Sequence, residues 1–219
     1  MLRQKSINEN NNIKEEVKEY VKPTIIESNR RLKYIVNFDE LKKVNPDVVG
    51  YIKVPNSKID YAVVKANDNE YYLDHNLNKK WSKAGWIFAD YHNKVDGTDL
   101  NIVIYGHKMK DGSMFGTLKD SLNESWYTNS DNQEIVFVTP EDTYYYQIFS
   151  IYSIEPESYY LKTSFSNNEY KEFLNTIKSR SIYNYDVEVD ENDKILTLSS
   201  CLDSYNQKRV VLHAKLIKE

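Results

Sequence analysis

Residues 194–217 read KILTLSSC (194–201), LDSYNQK (202–208) and RVVLHAKLI (209–217). Two apolar runs rich in β-branched residues flank a polar stretch, so a hairpin with a seven-residue connection is expected. Cys201 closes the first strand and Arg209 opens the second. Antiparallel pairing sets the end of one strand beside the start of the next, which brings a thiol and a guanidinium to one rim of a sheet.

Ahead of the hairpin, residues 166–179 have the pattern of a helix. Ser166 and Glu169 fit a capping box, and Tyr170, Phe173, Leu174 and Ile177 fall on one apolar stripe. Further back come EIVFVTP (134–140), TYYYQIFSIYSI (143–154), VVGYIKVP (48–55), KIDYAVVK (58–65) and AGWIFADY (84–91), all read as strands. LNIVIYGH (100–107), after the turn signal Asp96-Gly97, is apolar enough for a central strand. GSMFGTLKDSL (112–122) reads as a loop entering a short helix, and 39–44 as a helical turn stopped by Asn45-Pro46. About eight strands at short spacing with few helices predict a mainly β fold, an eight-stranded closed or half-closed barrel.

The N-terminal part differs. Residues 1–12 are polar and Asn-rich, and fraying is expected there. Residues 13–36 carry Ile13, Val17, Tyr20 and Val21 at helical spacing, with Pro23 expected to end or kink the helix or to start a second one. This divides the chain into a tail and helical segment, 1–36, and a barrel domain, 37–219.

The net charge of -4 lacks the basic excess of a nucleic-acid binder, so no nucleic-acid partner is expected. No run approaches the ~20 apolar residues of a membrane helix. The single cysteine excludes an intramolecular disulfide and leaves a free thiol, either a buried small hydrophobe or a reactive group. The first is the commoner role of a free cysteine, and its place at a strand end beside a polar loop adds weight to the second. Of the four histidines, His107 also projects from a strand end, after Gly106. His213 lies mid-strand, where a cross-strand structural partner is expected, while His75 and His92 lie in polar stretches. Neither the histidines nor the lone cysteine have the spacing of a metal site. Arg209 reads either as an edge-strand charge or as a group that holds an oxyanion and lowers a nearby thiol pKa. A nucleophile, a proton donor and an electrophile from three strand ends would form one site.

Several of these strings together carry a resemblance. TLSSC (197–201) resembles the TLxTC signature of sortases, with Ser200 where Thr is usual, and Arg209 follows Cys201 by eight residues as in that family. Tyr105-Gly106-His107, DELKKVNPDVVGYIKVP (39–55), MFGTL (114–118) and the helix before the last hairpin resemble the class B members, over 38–217. The resemblance implies a membrane-anchored cysteine transpeptidase of Gram-positive bacteria. It would cleave a sorting signal of the N/S-P-x-T-G/N type after Thr and transfer the product to a peptidoglycan stem or cross-bridge amine. It implies Cys201 as nucleophile, His107 as acid toward the leaving amine, and Arg209 as the group that binds substrate backbone and oxyanion. Ser199, Tyr160, Leu161 and Asn69 match substrate-groove positions. Leu202 departs from the acidic residue often found after the catalytic cysteine. No metal or other cofactor is implied. A hydrophobic anchor upstream of Ile13, absent from this chain, would hold the natural precursor at the extracellular face of the cell membrane. The rival readings are a papain-like cysteine hydrolase, which needs its cysteine at a helix start, and a non-enzymatic β-barrel binding module.

Overall fold

The computed structural model describes residues 2–25, 32–166, 168–201 and 208–217, with Ile25, Leu32 and Cys201 described by backbone alone. In chain order the elements are α1 (Leu2–Lys18), β1 (Val21–Ile25), β2 (Leu32–Val36), α2 (Phe38–Val44), β3 (Val48–Lys53), β4 (Asp60–Val64), β5 (Phe88–Ala89) and β6 (Asn101–His107). Then follow α3 (Glu124–Tyr127), β7 (Glu134–Val138), β8 (Thr143–Ile154), α4 (Glu169–Ser179), β9 (Ile195–Cys201) and β10 (Arg209–Leu216). Eight strands close a barrel in the order β10-β8-β7-β3-β4-β5-β6-β9, and β9 pairs with β10 to complete it. β4–β5 and β6–β9 are parallel; the other barrel neighbours are antiparallel. Among the described residues closure leaves the barrel itself without an open edge.

The strand pattern explains the core. β6 is buried along its first six residues, as its unbroken apolar run requires, and only His107 reaches partial exposure. Most of the interior is one apolar cluster. A second lies outside the β8–β10–β9 wall, where Tyr170, Phe173, Leu174 and Ile177 of α4 pack on Phe149, Tyr152, Tyr160 and Val211. The apolar stripe read from the sequence is therefore the buried face of α4. Its start differs by one turn. The helix begins at Glu169 behind Asn168, which has φ 67. Half of the expected capping box is made: the Glu169 carboxylate accepts from the Ser166 backbone N–H at 3.0 Å, and the Ser166 hydroxyl also donates to it.

Three expectations are corrected. Residues 2–12 are helical, not frayed, because α1 buries Ser6, Ile7, Asn10, Ile13 and Val17. Two of those five are polar and are satisfied by the barrel, so the stripe is not legible as hydrophobic periodicity. Among the described residues the expected helix does not run past Lys18 either: β1 and β2 form a separate antiparallel pair with Pro23 opposite Tyr34. Proline lacks the N–H that an interior ladder position needs, and this two-stranded ribbon has no interior strand. The stretch 84–91 contributes only Phe88–Ala89 to the barrel, since Gly85 turns the chain with φ +56. The segment after Gly112 is as expected, a 3-10 helix over Gly116–Leu122 running into α3.

Candidate active site

Three neighbouring strands end at one rim. β6 and β9 run parallel from Asn101↔Ile195 to His107↔Cys201, so the histidine and the cysteine close their strands side by side, about 4.8 Å apart in the usual strand spacing. β9 and β10 are antiparallel with Ser199 opposite Val211. Arg209 precedes Val211 by two residues and Cys201 follows Ser199 by two, so the register brings them to the same end. Ser200, at the position where the family motif has Thr, fixes this entry: its hydroxyl accepts from the Val210 backbone N–H at 2.8 Å.

His107 is held from several sides. Its ring Nε2 lies 2.6 Å from the Leu73 carbonyl oxygen. A carbonyl only accepts, so Nε2 carries the proton and Nδ1 is the nitrogen left for chemistry. Burial lowers the imidazole pKa below its ordinary 6.5; the Leu73 bond opposes this, the Arg3 charge of α1 adds to it, and Asp74 opposes it. The ring is therefore mostly neutral at pH 7. Beneath it, Gly106 is required by space: a Cβ there would lie 2.5 Å from Ile87 Cδ1 and 2.6 Å from Phe115 Cγ. Phe115 also donates its N–H to the His107 carbonyl at 2.9 Å. The MFGTL string thus forms the floor under the histidine.

Leu73 belongs to a 3-10 turn, Tyr71–Leu73. The Tyr72 hydroxyl donates to Asp47 Oδ2 at 2.6 Å and accepts from Asn45 Nδ2 at 2.8 Å. The strings 39–55 and 105–107 are thereby joined. Leu73 escaped the sequence reading because it acts through a carbonyl that any residue possesses.

On the other flank, Arg209 Nη1 donates to the Tyr160 hydroxyl at 3.3 Å, and that hydroxyl lies 3.1 Å from Ser199 Oγ. Tyr160 and Ser199 are 0% and 1% exposed, so both sit under the groove floor. Leu161 and Asn69 instead line a cavity of about 390 Å³ together with Leu73, Phe88, Tyr105, His107 and Arg209. Asn69, Tyr105 and Leu161 also line an adjoining groove of about 710 Å³ that runs past Asp90 and His92 to Glu169, Glu172 and Phe173 of α4. Asn69 is oriented by Asp90: its amide donates to Oδ2 at 2.8 Å and its oxygen accepts from the Tyr91 N–H at 3.0 Å. The same carboxylate accepts from the Tyr105 hydroxyl at 2.8 Å. Burial alone would raise the Asp90 pKa, but hydrogen bonds from the His92 backbone, Tyr105, the His92 ring and Asn69 together hold it below the usual range.

A model of the Sortase domain family matches residues 52–217. Sortase B of Staphylococcus aureus (strain NCTC 8325 / PS 47) is 36% identical over 184 residues, 83% of this chain and 75% of that protein. The chain belongs to the class B sortases. Solved relatives agree with its fold. Sortase B from B. anthracis in complex with AAEK1 is similar with TM-score 0.83 and 34% identity, over 98% of this chain and 99% of that one. The Staphylococcus aureus sortase B–substrate complex is similar with TM-score 0.77 and 36% identity, over 83% and 84% of the two chains. This sortase is accordingly a sorting-signal cysteine transpeptidase, and the papain-like and non-enzymatic readings give way.

The remaining predicted positions fall as follows in the sortase. The Cys201 side chain and residues 202–207, with Leu202, lie outside the described residues. His213 is fully buried and bonded to Thr197 across the β9–β10 pair and to Tyr152, the structural role expected of it. His75 stacks on Tyr71 with ring centroids 4.1 Å apart, and His92 bonds Asp90 at 2.8 Å. Among the described residues no helix is long and apolar enough to cross a membrane, and no group of three or more His, Cys, Asp or Glu could hold a metal ion.

Proposed function

We propose that Cys201, His107 and Arg209 form the catalytic centre, on a sorting signal of the N/S-P-x-T-G/N type. The Cys201 thiol gives its proton to His107 Nδ1, and the resulting thiolate attacks the Thr carbonyl carbon. The oxyanion that forms is held by the Arg209 guanidinium, whose positive charge also favours the thiolate. Collapse breaks the C–N bond, and the leaving amine takes its proton from His107 Nδ1, leaving an acyl-thioester. A peptidoglycan stem or cross-bridge amine then attacks the thioester carbonyl. It returns a proton to His107 and releases the thiolate. The observation that carries this reading is the convergence of the β6, β9 and β10 ends at one rim, with a cavity bounded by both His107 and Arg209.

In this proposal the sorting signal lies along the cavity and the adjoining groove. Asn69 and Leu161 contact it, and Ser199 and Tyr160 shape the floor and hold Arg209. The enzyme works at the extracellular face of the cell membrane, where exported proteins and wall amines meet, with an anchor preceding the segment described here. The barrel domain spans 37–219, and 1–36 connects it to that anchor. Intact-mass spectrometry with a sorting-signal peptide tests the chemistry. An adduct of the acyl fragment on Cys201, absent from Cys201→Ala, is the expected result; cleavage by Cys201→Ala would remove the assignment.

A further inference from the structure

The proposed chemistry leaves α1 unused, yet α1 buries an asparagine completely. Asn10 is 0% exposed. Its amide donates to the Gly85 carbonyl at 2.7 Å, and its oxygen accepts from the Ser82 hydroxyl at 3.1 Å. One turn earlier, Ser6 Oγ accepts from the Lys83 N–H at 3.1 Å. α1 therefore grips the 82–86 turn with three polar contacts and no long side chain. The far side of that turn faces the residue that orients His107. The Trp86 N–H donates to Tyr72 O at 2.9 Å and the Ser82 N–H to Asp74 O at 2.7 Å, so the carbonyls on either side of Leu73 are both held. Between them Gly85 abuts the Leu73 carbonyl: a Cβ on it would lie 2.4 Å from Tyr72 O and 2.7 Å from Leu73 O. Leu73 O receives the His107 ring at 2.6 Å.

We infer that α1 is a positioning element for the transpeptidase centre, with Asn10 as a positioning residue that fixes the Leu73 carbonyl, and through it the His107 ring, by way of the 82–86 turn. This rests on the role proposed above for His107. A backbone acceptor cannot be specified by its own side chain, so its placement must come from neighbours. Here those neighbours are clamped by a separate helix. Arg3 of the same helix and Asp74 are the charged groups that act on the ring.

The test uses the full chain with Asn10→Ala, Ser82→Ala and, as a control on the same helix, Asn8→Ala, which alters an exposed residue bonded only to Gln4. Imidazole ¹H–¹⁵N spectra report the His107 Nε2–H hydrogen bond directly, whatever the catalytic role of the ring. Misplacement of a reacting group by a remote change can cost up to ~10²-fold. Asn10→Ala should lose the bonded Nε2–H signal and drop kcat by roughly 10–100-fold, with KM for a sorting-signal peptide little changed. Ser82→Ala, which deletes one hydroxyl and keeps the test open should Asn10→Ala not fold, should show the same trend more weakly, and Asn8→Ala should match wild type. An unchanged His107 signal in folded Asn10→Ala and Ser82→Ala overturns the inference. A lost signal with unchanged kcat supports the positioning and instead removes the proposed role of His107.

Discussion

His213 and Thr197 are hydrogen-bonded across β9 and β10, with ring Nδ1 2.8 Å from the hydroxyl oxygen. The Thr197 hydroxyl gives its own proton to Asn101 Oδ1 at 2.7 Å, and the Asn101 amide donates to Lys162 O at 2.8 Å. The hydroxyl therefore accepts from His213 Nδ1–H, and Nε2 accepts from the Tyr152 hydroxyl 2.9 Å away. The tautomer is fixed, and the chain ties β10, β9 and β6 to Lys162, which lines the larger groove.

Stability should consequently fall in acid. Burial lowers the His213 pKa to about 3, while the unfolded chain titrates near the ordinary 6.5. Between these values the unfolded state binds more protons, so stability is fully present above about pH 6.5 and is lost as pH drops toward 3, by at most about 1.4 kcal/mol per unit. Urea midpoints measured from pH 7 to 4.5 should show this slope. His213→Gln, which can still donate and accept, should start lower and fall less steeply; an unchanged slope assigns the acid sensitivity elsewhere.

His107 should titrate below 6.5 because burial disfavours its cation. Arg3 pushes its pKa down and Asp74 pushes it up, so Arg3→Gln should raise the midpoint and Asp74→Asn should lower it. NMR titration of the imidazole gives both signs. Opposite shifts would place the dominant charges somewhere else.

Arg209 separates charge from geometry. Its planar fork reaches Tyr160 and the cavity at once, which a lysine ammonium cannot copy. Arg209→Ala should cost on the order of 10²–10³ in kcat/KM, as for loss of one oxyanion donor. Arg209→Lys should recover little of it, and near-native activity in the lysine variant would mean that charge alone suffices. Tyr160→Phe leaves the buried Ser199 hydroxyl short of a partner, which should cost roughly 1–3 kcal/mol of stability. It should also lower kcat more than it raises KM, since the tyrosine sits beneath the floor.

Gly106→Ala should destabilise the barrel by about 1–3 kcal/mol, the usual cost of overpacking. The added methyl collides with Phe115 and Ile87. Phe115→Leu in the same chain should recover part of this, because the two changes share one space. Strictly additive losses in thermal denaturation would deny the contact.

Most of the barrel was legible in the sequence because strand burial is a local pattern. β3, β4 and β6 through β10 appear as apolar or alternating runs wherever the chain is fully or half buried. Cys201, His107 and Arg209 stood out because strand ends and spacing are also linear features. Tertiary structure alone decided the rest. Residues 2–12 of α1 read as a polar tail, since the groups that satisfy Asn10 and Ser6 lie in the 82–86 turn, more than seventy residues away. β1 and β2 lie in a segment with helical composition and pair only with each other. Leu73 carries no signal at all, because what His107 uses is a main-chain oxygen, and its position is set by the packing of α1, the 82–86 turn and Tyr72 rather than by the identity of the residue.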